Sequence, residues 1–253
     1  MKGIFLGTGT SQGIPVIACN CEVCRSTNPK DNRLRTSFMI QTPETSLVID
    51  TGPDFRQQML NNRVQKLDAV VFTHEHKDHV AGMDDIRAFN FIQKKDMDVY
   101  ASEQVQQALK REFPYVFNKD KYPGVPLVKL HLITDAAFSI GDIDLLPINV
   151  KHYIMPVKGY RIGKLSYVTD AKEIEAKEFD KMRGSEVLIL NALRKSKHIS
   201  HFNLDEALAI IKEIKPKKAY LTHISHLMGL HDEVSKELPP NVEIAYDGLE
   251  IAF

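Results

Sequence analysis

The run Thr73-His74-Glu75-His76-Lys77-Asp78-His79 places three imidazoles and a metal-capable carboxylate within six positions, directly after the apolar segment Ala69–Phe72. A strand end holds side chains rigidly, while the loop after it is free to wrap an ion. His74 and His76 point to one side of an extended segment. Asp78 and His79 supply a second group of donors as the chain turns into a helix. This nitrogen-rich set suits Zn²⁺, Mn²⁺ or Fe²⁺ rather than Mg²⁺ or Ca²⁺, which prefer oxygen. Three more metal-capable residues follow apolar runs: His152 after Ile143–Asn149, Asp170 after Ser166–Thr169, and His223 after Ala219–Thr222. A carboxylate such as Asp170 can bridge two ions, the arrangement that activates water and clamps a phosphoryl or carbonyl centre.

The three cysteines, Cys19, Cys21 and Cys24, are confined to six positions. An odd number packed so closely is a poor disulfide framework and a good thiolate loop for zinc in a reducing compartment. Tetrahedral structural zinc needs a fourth donor. His226, three residues after His223 in Thr222-His-Ile-Ser-His, is the best placed, with His231 as its competitor. The segment Lys197–Asn203 adds His198 and His201 at the entrance of a helix.

These groups sit in a chain of 253 residues with 33 basic and 33 acidic side chains, ten histidines and 43% hydrophobic residues. Such a composition excludes global disorder. Zero net charge supplies no general field for polyanions, which argues against nucleic acid as the partner. No apolar run approaches 18 residues, and the first residues lack the apolar core of a signal peptide, so no membrane partner and a cytoplasmic location are expected. Strands are expected at Lys2–Leu6, Leu34–Gln41, Ser46–Asp50, Ala69–Thr73, Val128–Leu132, Ala137–Ile140, Ile143–Asn149, Lys164–Thr169, Glu186–Leu190, Lys218–Thr222, Val242–Tyr246 and Leu249–Phe253. Helices are expected at Phe55–Leu60, Asp84–Ile92, Glu103–Phe113, Leu204–Ile214 and Asp232–Leu238. Pro114–Pro126 reads as loop, and the stretch after His152 as a polar turn. The whole, residues 1–253, reads as one α/β domain with many antiparallel hairpins.

His74-Glu-His-Lys-Asp-His79, followed in order by His152, Asp170 and His223, resembles the HxHxDH signature of the metallo-β-lactamase superfamily and its two-metal hydrolases. The resemblance implies an αββα sandwich, two mixed β-sheets flanked by helices. It also implies that His74, His76 and His152 hold one metal and Asp78, His79 and His223 the other, with Asp170 bridging. Asp50, in Val48-Ile-Asp-Thr-Gly, matches the family's acid behind the metal loop. The GTGTSQG start, the cysteine loop and the THISH segment resemble the phosphoribosyl cyclic phosphodiesterases that accompany carbon–phosphorus lyase, relatives of ribonuclease Z. That branch implies two catalytic divalent metals (Zn or Mn), one structural Zn and a homodimer. It also implies a histidine at the helix entrance, His201 ahead of His198, that works with Asp78 to protonate the leaving alkoxide. Asn191 stands at a strand end where such relatives commonly carry an acid.

The expected activity is therefore hydrolysis of a small or cyclic phosphodiester. Lys158, Arg161 and the backbone amides of Gly7–Thr10 are candidate phosphate contacts. The rivals are a ribonuclease Z-like nuclease, a thioester hydrolase or β-lactamase, and a non-catalytic metal scaffold. The nuclease would need a basic RNA-gripping arm, and the thioester hydrolase a helical substrate domain. The scaffold would have lost a ligand position. None of these features is visible in the sequence.

Overall fold

A strand without a polar face must be covered on both sides, and Ala69–Val71 is. Ala69 and Val71 join one apolar cluster, while Val70 and Phe72 join another behind it. The computed structural model describes residues 1–120 and 122–253. Its first sheet contains β1 (Lys2–Gly7), β2 (Ser37–Gln41), β3 (Ser46–Ile49), β4 (Ala69–Val71), β5 (Met97–Ala101) and β6 (Val128–Leu132) in that spatial order. The second contains β7 (Phe138–Ile140), β8 (Ile143–His152), β9 (Met155–Ile162), β10 (Leu165–Val168), β11 (Glu173–Ile174), β12 (Val187–Asn191), β13 (Lys218–Thr222) and β14 (Val242–Ile244). Its main path runs β11-β8-β9-β10-β12-β13-β14, and the last strand, β15 (Glu250–Ala252), returns to flank β1.

Helices cover the outer faces. α1 (Phe55–Asn61), α2 (Lys77–Val80), α3 (Arg87–Gln93), α4 (Glu103–Glu112) and α5 (Pro114–Phe117) lie on the side of the first sheet. α6 (Ala176–Met182), α7 (Leu204–Ile214) and α8 (His231–Glu237) lie on the second. Between the sheets, Phe5, Phe38 and Ile49 pack with Leu145, Tyr160, Tyr167 and Ile189. This is the αββα sandwich with two mixed sheets. The expected antiparallel hairpins are present as β2–β3, β7–β8, β8–β9 and β9–β10, beside parallel runs from β3 to β6 and from β10 through β12 and β13 to β14.

Other differences have physical causes. The expected polar turn after His152 is the strand β9, paired with β8 from Leu146↔Arg161 to His152↔Met155. Lys158, Gly159 and Arg161 disguise it, yet Val157, Tyr160 and Ile162 are buried. Within Pro114–Pro126, Pro114 opens the short helix α5, because its fixed φ suits a first helical position; Lys121 lies outside the described residues. Strand β5 and helix α6 have no counterpart in the sequence reading.

The metal loop between β4 and α2 is pressed against the loop after β3. Thr51 N–H donates to His79 O, and Gly82 N–H to Thr51 O, both at 2.8 Å. A Cβ on Gly52 would sit 2.1 Å from the backbone oxygen of Asp78. Gly52→Ala is therefore expected to lower stability by about 1–3 kcal/mol through overpacking, and to weaken metal retention because Asp78 must move. Denaturant midpoints and metal content after dialysis measure both; an unchanged midpoint would mean that the loop yields freely.

Candidate metal centre

The site is built at the carboxyl ends of strands. β3 leads to Asp50, β4 to His74, β10 to Asp170 and β13 to His223, while β8 ends on His152. Asp50 (φ 65°), Asp170 (φ 53°) and His223 (φ 56°) all adopt the left-handed conformation. Asp, Asn and His tolerate this region better than other non-glycine residues. Here it turns the chain sharply out of a buried strand. All three side chains are buried.

Asp50 organises the metal loop from beneath. It accepts the Thr73 N–H (2.8 Å), the Thr73 hydroxyl (2.7 Å) and His79 Nδ1–H (2.7 Å). A carboxylate only accepts, so Nδ1 of His79 carries the proton and Nε2 offers a lone pair. With its own proton committed to Asp50, the Thr73 hydroxyl accepts from His74 Nδ1 (3.0 Å) and fixes that ring the same way. His152 Nδ1 donates to Ser200 O at 2.8 Å. Nε2 of His74, Nε2 of His79 and both ring nitrogens of His223 are buried and make no hydrogen bond among the described residues. Such orphaned atoms fit metal ligands whose other bond is the coordinate one.

The donor distances agree. His79 Nε2 lies 3.2 Å from Asp78 Oδ2 and 3.3 Å from Asp170 Oδ2. His223 Nε2 lies 3.1 Å from Asp170 Oδ1 and 3.8 Å from Asp78 Oδ2. Tetrahedral zinc with bonds of 2.0–2.1 Å sets its ligand atoms about 3.3 Å apart. A second donor group, His152, Asp170 and His201, shares Asp170 with the first. His74 and His76 close the first half by their rings, with centroids 6.0 and 5.1 Å from His152. His74 and His79 are buried, whereas His76 is exposed at the mouth. Burial would raise the Asp170 carboxyl, but the charges of His223 and His79 and the bond from His201 outweigh it and hold it well below the carboxylate range. Asp78 is held low against burial in the same way, chiefly by His79. Burial pushes His152 down to about 4, leaving a neutral imidazole able to ligate.

His201 Nε2 is 3.1 Å from Asp170 Oδ1, and its ring stacks on His223 at 4.9 Å. Its direct partner is thus Asp170, and Asp78 acts on it only as a more distant charge. His198 stands behind, half-buried, with its Nδ1 3.3 Å from His201 Nδ1. The thiolate loop is equally well formed. Nδ1 of His226 lies 3.3, 3.3 and 3.6 Å from the sulfurs of Cys19, Cys21 and Cys24. Zinc–sulfur and zinc–nitrogen bonds of ordinary length imply an edge of about 3.5 Å. The Cys24 N–H and then His226 draw the Cys21 thiol down to about 6, while burial pushes Cys24 up to about 11.

A family model described as the β-lactamase superfamily domain matches residues 45–224, which hold the metal loop and every expected catalytic ligand. The chain belongs to the metallo-β-lactamase superfamily. Within it, a crystal structure described as a new diphosphatase from the PhnP family superposes with a TM-score of 0.93 at 37% identity, over 100% of this chain and 97% of that one. Zn²⁺-bound PqqB from Methylobacterium extorquens has the same fold, with a TM-score of 0.80 at 17% identity and all of both chains covered. A Porphyromonas gingivalis protein described as an octanoyltransferase is 40% identical over 253 residues. The match takes in 99% of this chain, which spans about half the length of that relative.

Several expectations for this metallo-β-lactamase site are corrected. Lys158 Nζ is bound to Asp135 in the loop before β7 (2.7 Å) and to Asn149 on the neighbouring strand β8 (2.6 Å). Arg161 caps the end of α6, donating to the carbonyls of Met182, Gly163 and Gly184 and to Ser185 Oγ. Neither guanidinium nor ammonium is free for phosphate. The Thr8, Gly9 and Thr10 amides are also occupied: Gly9 N–H goes to Leu34 O and Thr10 N–H to Ile224 O, while Asp247 takes the Thr8 amide and hydroxyl. Asn191 has a role that an acid could not fill. Its Oδ1 accepts Ala171 N–H at 2.8 Å while its Nδ2 donates to Ala171 O at 3.0 Å, bracing the residue after Asp170. Its place at the end of β12 is legible in the sequence; its two-way bond is not.

His231, the competitor for the zinc, instead faces Arg33, with Nδ1 3.2 Å from Nη2. Burial and that guanidinium push its pKa down to about 4. The folded chain therefore resists a proton that the unfolded chain accepts near pH 6.5. The stabilisation is full above that pH and is lost as the pH falls toward 4. His231→Gln should flatten the fall in denaturant midpoint between pH 7 and pH 5; an unchanged slope would remove His231 from the linkage.

For the metals, elemental analysis of the zinc-supplied protein should give close to three ions per chain. Cys21→Ser should give two, with a lower Tm. Two ions in the unsubstituted protein would leave either the cysteine loop or half the catalytic pair empty.

Proposed function

We propose that the chain is a metal-dependent phosphodiesterase that hydrolyses a small or cyclic phosphodiester. The observation that carries this reading is the proton donor on the rim of the metal centre: His201 Nε2, 3.1 Å from the shared ligand Asp170. A thioester releases a leaving group that needs little protonation, whereas an alkoxide expelled near neutral pH benefits from a general acid. His74, His76 and His152 would hold one ion and Asp78, His79 and His223 the other, with Asp170 between them and Asp50 beneath. Two divalent cations bound there, zinc or manganese, would lower the pKa of water and offset charge on the phosphoryl oxygens.

The chain's own residues then have distinct tasks. Asp50 and the Ser200 carbonyl keep the ligating rings in the tautomer with Nε2 free. Burial lowers the His201 pKa, with the hydrogen bond to Asp170 opposing it; a phosphate anion alongside would raise it further. The imidazolium hands its Nε2 proton to the departing oxygen. His198 Nδ1 already accepts from Ser200 N–H at 3.3 Å, so it is placed to accept from Nδ1–H of a charged His201. His198 is therefore a positioning residue.

The 37% identical relative described as a diphosphatase supports a second reading, cleavage of a phosphoanhydride at the same site. The octanoyl transfer named for the longer relative is not carried over. All three cysteines belong to the zinc loop, which leaves no thiol for an acyl-enzyme. Among the described residues no helix is long and apolar enough to cross a membrane. The reading takes residues 1–253 as one functional unit in the cytoplasm, where thiols stay reduced. It also takes them as a homodimer, for which Leu60, Phe91 and Ile92 offer exposed apolar surface.

The metal-loaded protein should cleave bis-p-nitrophenyl phosphate and a cyclic phosphodiester faster than a thioester, and a nucleoside diphosphate tests the anhydride reading. Chelation or His76→Ala should remove the activity; activity that survives both would sink the mechanism. His201→Ala should lower kcat by about 10²–10⁴ with an alkoxide leaving group and far less with p-nitrophenolate. Equal losses on both would make His201 structural.

A further inference from the structure

The turn after His152 is made of residues that such turns avoid. β8 and β9 stay paired up to His152↔Met155, so Tyr153 and Ile154 are the entire hairpin loop. Two-residue loops favour Gly, Asn and Asp, which accept a positive φ and face water. Tyr153 instead takes φ 57°, a strained conformation for an aromatic residue. Tyr153 is 57% exposed and Ile154 81%. Neither turn chemistry nor solubility is served by this choice.

A second exposed apolar side chain stands beside it. Ile199 is 69% exposed and lies between His198 and Ser200. The Ser200 carbonyl accepts from His152 at 2.8 Å, and the His152 and His201 rings meet edge to face at 4.3 Å. The two apolar tips thus flank the same pair of site histidines. The nearby charges are already paired, Lys151 with Glu173 at 3.0 Å and Lys172 with Glu206 at 2.8 Å.

We propose that Tyr153, Ile154 and Ile199 form an apolar subsite at the mouth of the metal centre, which binds an aliphatic group esterified to the reacting phosphate. The proposal rests on the phosphodiesterase reading and names the substrate class: alkyl phosphodiesters. Two isoleucines supply area without hydrogen-bond partners, which matches a hydrocarbon chain. A nucleobase gains its selectivity from hydrogen bonds, and two isoleucines offer none.

The test compares p-nitrophenyl hexyl phosphate with p-nitrophenyl methyl phosphate, using the metal-loaded full chain and its Ile154→Ser/Ile199→Ser variant. Binding of hexylphosphonate and methylphosphonate is measured by calorimetry alongside. Burying part of a six-carbon chain should favour the hexyl ester on the order of 10–100-fold in kcat/KM, and the hexylphosphonate by a similar factor in Kd. The double variant should lose both preferences while handling the methyl compounds as before. Equal handling of hexyl and methyl compounds by the unsubstituted protein overturns the subsite, as does a preference that survives the double substitution. A double variant that turns from dimer to monomer in sedimentation while keeping the preference assigns the tips to contact between copies, which also overturns it. Chain-length-dependent phosphonate binding without turnover of either ester supports the subsite and overturns the phosphodiesterase reading alone.

Discussion

Asp50, fully buried, takes three hydrogen bonds on two oxygens, and the metal loop has its shape because of them. The Thr73 amide, the Thr73 hydroxyl and His79 all end on this one carboxylate. Through the hydroxyl its influence reaches His74. Without it, three buried donors would lose their acceptor, each at about 1–3 kcal/mol. More than stability is involved. The same bonds decide which nitrogen of each ring faces the metal, and a ligand in the wrong tautomer presents a proton where a lone pair is needed. A residue that never touches the metal therefore determines whether its neighbours can.

The carboxylate can act this way because the backbone delivers it at a sheet edge. Asp50, Asp170 and His223 leave their strands in the left-handed conformation, the first from one sheet and the other two from the second. Each costs about 1 kcal/mol or more of backbone strain. In return, largely buried strands end abruptly in a polar side chain turned toward the metal centre. The buried strands supply rigidity and the αL residues supply direction. Neither could hold donor atoms within 3.1–3.8 Å alone.

The sequence and the structure agree where chemistry and local pattern coincide. The donor types, their order and their places after apolar runs were legible, as were the thiolate loop and the choice of His226 over His231. Strand β9 was not, because its buried Val157, Tyr160 and Ile162 alternate irregularly with Lys158, Gly159 and Arg161. Only pairing with β8 makes it a strand. Read as a turn, the same segment would leave Lys158 and Arg161 free for phosphate. Once they belong to a strand, Lys158 finds partners on β8 and in the loop before β7, and Arg161 at the end of α6. The partner of His201 was equally invisible, since the distance from Asp170 to the α7 entrance is set by tertiary packing.

The GTGT turn shows how a motif can be functional without touching substrate. Ile224, next to His223, donates to Thr8 O at 2.8 Å and accepts from Thr10 at 3.0 Å. Two residues further on, His226 joins the cysteine loop that the same N-terminal segment leads into. One short stretch, His223–His226, is thus gripped on one side by the turn and on the other by the thiolates. Its far end points His223 at the catalytic donors. Behind the turn, Asp247 holds Thr8 while buried Arg33 joins Thr8 to His231. Amides already used to fix His223 cannot also cradle a phosphate. The structural zinc would then serve catalysis at a distance, by keeping one catalytic ligand from moving when substrate arrives.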